Sequence, residues 1–69
     1  MEIKARIPGK VVSVNVMVGD SVKSRSVLAV MEAMKMETEI VAPADGTVAQ
    51  ILVKAGDAVD TGAALVTLN

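Results

Sequence analysis

Few side chains in this chain could do covalent chemistry. Its 69 residues include no cysteine and no histidine. That excludes a thiolate nucleophile, a disulfide, a Cys- or His-ligated metal, a Ser-His-Asp triad and an imidazole proton shuttle. Ser13, Ser21, Ser24 and Ser26 have no base to activate them and read as surface or turn residues. The remaining nucleophiles are amines. Lys4, Lys10, Lys23 and Lys54 read as surface charges. Lys35 stands apart because of its surroundings, Glu32-Ala33-Met34-Lys35-Met36-Glu37-Thr38, which put a thioether on each side of one amine and a carboxylate beyond each. Taken singly, these residues have plain roles. A lysine on a hairpin tip is ordinarily a solubilising charge, methionines fill core gaps, and glutamates are solvated. The case for Lys35 therefore depends on the elements that hold it.

Composition bounds those elements. A chain of this length is one small domain, able to bury only about 60% of its unfolded surface. It compensates with 52% hydrophobic residues, none of them Phe, Tyr or Trp. Val-rich chains of this kind suit a pleated sheet. A net charge of −1 is too small for electrostatic capture of nucleic acid or an anionic membrane, and stacking platforms for single strands are missing. The longest apolar run, Val27 to Met31, is far too short for membrane insertion. With no signal-peptide pattern, the expectation is a soluble, cytoplasmic protein, or one of the mitochondrial matrix if the source is eukaryotic.

The chain repeats itself at a shift of 37 positions. Glu2-Ile3-Lys4-Ala5 falls on Glu39-Ile40-Val41-Ala42, Gly9 on Gly46, Val11 on Val48, Val16 on Val53, Gly19-Asp20 on Gly56-Asp57, and Leu28 on Leu65. The repeats span 2–32 and 39–69, joined by 33–38, within a single domain covering 1–69. In the first repeat Val12, Val14, Val16 and Val18 alternate with Ser13, Asn15 and Met17, a period of two that argues for half-buried strands. Pro8-Gly9, Gly19-Asp20, Pro43 to Gly46, Gly56-Asp57 and Thr61-Gly62 mark turns. Strands are predicted near 2–7, 10–17, 21–23, 27–33, 36–42, 47–53, 58–60 and 64–68. Neither half can bury its apolar face alone. Two equivalent halves packed about a pseudo-twofold axis can, giving an all-β fold of two four-stranded antiparallel sheets.

Only the joining segment escapes the repeat. It links two strands, so it should be a hairpin, and the most economical turn places Met34-Lys35 at its centre. Two-residue hairpins favour type I′ turns with φ > 0 at both central positions, which suits Asn-Gly and strains Met-Lys. That turn sets Ala33 opposite Met36 and Glu32 opposite Glu37, where the two carboxylates repel. Local rules fail together here and almost nowhere else, which marks a functional site.

The segment Glu32-Ala33-Met34-Lys35-Met36-Glu37-Thr38 resembles the biotinylation motif of biotin carboxyl carrier domains, in which Ala-Met-Lys-Met surrounds the modified lysine. Ala42-Pro43-Ala44-Asp45-Gly46-Thr47-Val48 and the two Gly-Asp turns are similar to the family as well, so the resemblance covers essentially the whole chain. There are departures. Ala5-Arg6-Ile7-Pro8-Gly9 stands where relatives often have Ala-Pro-Met-Pro-Gly, and Arg25 stands where a turn glycine is common. No insertion separates Asp20 from Leu28, where some acetyl-CoA carboxylase carriers bear a thumb, so the resemblance is to thumbless carriers.

The resemblance implies a flattened β-barrel, or barrel-sandwich, with the lysine hairpin at the end away from the termini. It implies biotin joined covalently to Lys35 by a biotin protein ligase through attack of the amine on biotinyl-adenylate. Glu32, Ala33 and Glu37 would serve ligase recognition, with Met34 and Met36 flanking the attachment site. It further implies a non-catalytic carrier that shuttles a carboxyl group between biotin carboxylase and carboxyltransferase sites of a carboxylase, decarboxylase or transcarboxylase. The rival is a lipoyl carrier of a 2-oxoacid dehydrogenase complex, whose hairpin lysine usually follows Asp and precedes Ala. A structural β-domain with Lys35 unmodified is a rival of another class.

Overall fold

A computed structural model describes residues 1–69 as eight short strands with no helix. The strands are β1 (Glu2–Lys4), β2 (Gly9–Val14), β3 (Ser21–Val22), β4 (Val27–Ala33), β5 (Met36–Val41), β6 (Gly46–Ile51), β7 (Ala58–Val59) and β8 (Ala64–Leu68). They form two four-stranded sheets, ordered β1-β8-β6-β3 and β5-β4-β2-β7, with every pairing antiparallel. This is the expected sandwich. The two outer strands of each sheet come from one half of the sequence and the two inner strands from the other.

The repeat is written into the hydrogen bonds. In the first half Asp20 N–H donates to Met17 O and Ser26 N–H to Lys23 O. In the second, Asp57 N–H donates to Lys54 O and Ala63 N–H to Asp60 O. Bonds between halves obey the same exchange. Gly19 N–H donates to Val48 O as Gly56 N–H does to Val11 O, and Arg25 N–H donates to Ala42 O as Gly62 N–H does to Ala5 O. Each pair is related by 37 positions. The core follows suit. Of the twelve buried residues, ten form the equivalent pairs Ala5/Ala42, Val11/Val48, Leu28/Leu65, Ala29/Val66 and Met31/Leu68. The other two, Ile3 and Val22, have Ile40 and Val59 as partly buried equivalents. No polar or charged side chain is buried.

Strands β4 and β8 match their predicted limits, while others stop sooner. The predicted 2–7 ends at Lys4, because the ladder to β8 shifts register between Ile3 and Lys4 and Ala5 passes beyond the start of β8, donating to Ala63 O and accepting from Gly62 N–H of the preceding turn. The predicted 10–17 and 47–53 end at Val14 and Ile51. The chain there enters turns in which the Asp20 carboxylate accepts from Met17 N–H and the Asp57 carboxylate from Lys54 N–H. Side chain-to-backbone bonds of this type compete with the ladder. The valine alternation in the first half is also corrected. A bulge between Val11 and Ser13 puts Val11 inside and leaves Val12 exposed, and Val18 lies exposed in the turn.

Two kinds of glycine emerge. Gly19, Gly56 and Gly62 have φ near 90°, the third position of turns closed by the bonds just described, where a type II turn needs φ > 0. Gly9 and Gly46 read as turn residues in the sequence, yet they open strands β2 and β6. A Cβ on Gly9 would lie 2.5 Å from the Glu32 carbonyl oxygen, and one on Gly46 would lie 2.7 Å from that of Asn69. Their role is close backbone approach. Arg25, the equivalent of Gly62, adopts φ 73° without being glycine.

Two stability changes follow. Gly9→Ala must push β2 from β4 and should destabilise by about 1–3 kcal/mol. Arg25→Gly should relieve a left-handed L-residue and stabilise by about 1 kcal/mol, roughly 4–8 °C in Tm for so small a domain. Thermal unfolding of both variants checks this. An unshifted Gly9→Ala variant would contradict the close approach, and an unstabilised Arg25→Gly variant would mean the turn is unstrained.

Candidate functional site

Strands β4 and β5 pair with Met31 opposite Thr38, Glu32 opposite Glu37 and Ala33 opposite Met36. Two residues remain to join them, Met34 and Lys35. Their φ values are 52° and 65°, the signature of a type I′ turn and the conformation expected of this tip. Neither residue suits it, since a side chain in the left-handed region crowds its own backbone. The strain is held in place from below. Gly9 lets β2 close against Glu32 and Ala33 at the hairpin base, and Met31 anchors β4 in the core at 1% exposure.

The pseudo-twofold explains why this segment has no equivalent. It carries the β4-β5 hairpin onto strands β8 and β1, which pair with each other and hold the two chain ends. There the N-terminal ammonium donates to Leu68 O, and Leu68 N–H donates to Met1 O. Strands joined by a turn in one half are therefore matched in the other by strands that pair without being consecutive in sequence.

The structure brings all six predicted site residues into one hairpin. Met34 is 95% exposed and Met36 71%; Lys35, Glu32 and Glu37 are also exposed, while Ala33 is half-buried. The protein's one ion pair joins Lys4 to Glu2, so the Lys35 amine is not tied to either flanking carboxylate. The two glutamates face each other across the ladder, and Lys10 on β2 lies opposite Glu32 on its other side. Lys10 and Gly9 are the site residues that sequence reasoning missed. The recurrence of Gly9 as Gly46 was the available signal for one, while Lys10 comes into view only with the β2-β4 register.

The only sizeable concavity, an open groove of about 690 Å³ between β1 and β5, is lined by Ile3, Ile40, Met31 and Val41 among others and by no residue from 32 to 37. The Lys35 amine therefore stands clear of any pocket. A tethered group fits that setting, since the amine is accessible, unpaired and held on a short, fixed turn. Enclosure of a substrate would need walls, which this end of the molecule lacks.

A sandwich whose one unrepeated segment holds a single free amine away from the surface is a carrier-type domain. Residues 1–68 match the biotin–lipoyl family, described as "Biotin-requiring enzyme", and the chain belongs to that family. It is 47% identical over 97% of its length to pyruvate carboxylase of Staphylococcus aureus, covering 6% of that protein. It is also 47% identical over 93% of its length to the biotin carboxyl carrier protein of Streptococcus mutans, covering 49% of it. The chain thus spans half or less of these relatives. Among solved structures it matches a single-chain, multi-domain long-chain acyl-CoA carboxylase with TM-score 0.93 and 32% identity, covering 99% of this chain and 7% of that one. It also matches the lipoyl domain of the 2-oxoglutarate dehydrogenase complex from Azotobacter vinelandii with TM-score 0.80 and 28% identity, covering 97% and 95%.

The turn strain is open to measurement. Replacing Met34-Lys35 by Asn-Gly should stabilise the domain by about 1–2 kcal/mol, since both residues then suit φ > 0, while removing the amine. A denaturant midpoint no higher than that of the parent would show that the tip carries no strain.

Proposed function

We propose that this chain is the biotin-carrying domain of a biotin-dependent carboxylase, decarboxylase or transcarboxylase, with Lys35 Nζ as the attachment atom. The observation that carries the reading is the hairpin tip. One free amine sits at the second position of a strained two-residue turn, between two methionines exposed at 95% and 71%. The 47% identity to a pyruvate carboxylase and to a biotin carboxyl carrier protein supports it.

Loading forms one amide bond. The ammonium of Lys35 gives up a proton, the amine lone pair adds to the activated carboxyl carbon, the activating adenylate leaves, and a second proton departs as the amide forms. With no histidine in the chain, the base belongs to the biotin protein ligase, the partner proposed for this step. Glu32, Ala33, Met34, Met36 and Glu37 form the surface that ligase would read. Once bound, biotin supplies a ureido nitrogen able to carry a carboxyl group between biotin carboxylase and carboxyltransferase sites. The protein's part is position. The tether raises the local concentration of the carried group at both sites, and the short turn keeps its root fixed. ATP-dependent loading suits the cytoplasm, or the mitochondrial matrix in a eukaryote, as the proposed compartment.

A lipoyl carrier would share the sandwich, as the A. vinelandii domain does, so the fold alone does not separate the two cofactors. Methionine on both sides of Lys35, in place of the Asp and Ala usual in lipoyl hairpins, supports biotin.

Intact mass should rise by one biotinyl group after incubation with biotin protein ligase, biotin and ATP, and should not rise for Lys35→Arg. That substitution should change stability by less than about 0.5 kcal/mol, as exposed substitutions usually do. Lipoylation by a lipoate ligase without biotinylation would replace this reading with the lipoyl one. No modification by either would favour a structural domain.

A further inference from the structure

Methionine is the one readily oxidised residue type in this chain, which has no cysteine, tryptophan, tyrosine or histidine. Its five methionines divide sharply. Met31 is buried at 1% exposure, whereas Met34 and Met36 are 95% and 71% exposed, and Met17 and Met1 are 71% and 62% exposed. Two of the four exposed thioethers therefore flank the one amine to which a function is assigned. Lys35 forms no ion pair, and Met34 and Met36 are the exposed large apolar side chains of the tip, so any protein that encloses this lysine must bury them.

We propose that Met34 and Met36 form an oxidation site at which a peroxide switches off the loading of Lys35. The inference rests on the carrier reading above. In the step itself the thioether sulfur donates an electron pair to the nearer peroxide oxygen. The O–O bond breaks, an S–O bond forms, and the proton on the transferred oxygen passes to the departing hydroxide, which leaves as water. Sulfur is oxidised by two electrons and the peroxide is reduced by two, so no further reactant is needed. The product is a polar, chiral sulfoxide in place of a flexible apolar side chain, a change that disrupts methionine-rich interfaces and is reversed by methionine sulfoxide reductases.

The fold separates the two consequences of oxidation. Met31 is 1% exposed at the wall of the β1–β5 groove, so a peroxide reaches its sulfur far less readily. Met34 and Met36 lie outside the core, so oxygen there leaves packing intact. The backbone φ at Met34 is positive for either oxidation state, because the turn and not the side chain fixes it. The ligase meets a new oxygen where it would bury sulfur and methyl, and a buried oxygen without a partner is costly. Loading should fall about tenfold or more, the change that corresponds to losing a single such contact. Met17 belongs to the turn held against Val48 of β6 and takes no part in the hairpin, so it serves as an internal control.

The test uses the unloaded carrier and its Met17→Leu variant, treated with hydrogen peroxide that is then removed by catalase before ligase, biotin and ATP are added. Peptide mass mapping should show Met34 and Met36 oxidised well before Met31. The rate of biotinylation should drop about tenfold or more in parent and variant alike, with thermal unfolding unchanged, and sulfoxide reductase should restore it. Oxidation of Met34 and Met36 no faster than that of Met31 would overturn the site. Equal loading of oxidised and untreated carrier would overturn the switch, as would a loss that follows Met17 or the melting of the domain. If untreated carrier takes no biotin, the carrier reading and the switch fall together, and the oxidation map alone decides the modification site.

Discussion

Each sheet of this domain is completed by the other half of its own sequence. The inner strands β2 and β4 come from the first repeat and are flanked by β5 and β7 of the second. The inner strands β6 and β8 come from the second and are flanked by β1 and β3 of the first. Because of this interlock neither repeat can satisfy its backbone or bury its apolar face by itself. The bonds between Gly19 and Val48 and between Gly56 and Val11 fasten a turn of each half to an inner strand of the other, so the halves form together or not at all. A core without aromatic residues can be sufficient for that reason. The large buried side chains, Leu28, Leu65 and Met31, belong to one core cluster fed by both halves, and no polar side chain is buried with them.

The hairpin draws on this interlock. Strand β4 is the longest in the protein. It is paired on one side with β2 and on the other with β5, so its end is fixed before the turn begins. A turn with two L-residues at positive φ persists only where its surroundings over-determine it. Here they do so through the close approach at Gly9 and the buried Met31. The equivalent strands in the other half, β8 and β1, pair with each other without being consecutive in sequence, so symmetry imposes no sequence on residues 33–38. That segment is free to carry Met and Lys where a hairpin chosen for stability alone would carry Asn and Gly.

Much of this was legible in the sequence for one physical reason. A repeat shows which residues are constrained by packing, and what falls outside it is constrained by something else. The β4-β5 register could be read because a two-residue connection leaves a single pairing for Glu32 and Glu37. What could not be read were effects of contacts distant in sequence. The bulge at Val11 and Ser13 inverts the facing of Val12, and nothing local announces it. Gly9 looked like a turn glycine because Pro8 precedes it, while its true constraint is the Glu32 carbonyl across the sheet. Strand ends overshot wherever an aspartate, Asp20 or Asp57, drew the backbone into a turn sooner than hydrophobic alternation implied. Arg25 shows the limit of reading by analogy, since it keeps the left-handed geometry of Gly62 without its residue type.

A division of labour follows from where the polar groups lie. Every titratable side chain is outside the core, and the groove between β1 and β5 does not reach the hairpin. The domain therefore has no means of recognising, near Lys35, what is attached there. On the proposed function, recognition would run inward from partners that read the tip, which offers the shape of a strained turn, two thioethers and two opposed carboxylates. The same sandwich can serve biotin or lipoyl carriers because the barrel decides only where the amine stands. What the amine receives would then be decided by the exposed residues beside it, Glu32, Met34, Met36 and Glu37, none of which belongs to the buried core. On the proposed function, a carrier cannot bury the surface by which a partner would recognise it, which accounts for two methionines left exposed beside Lys35.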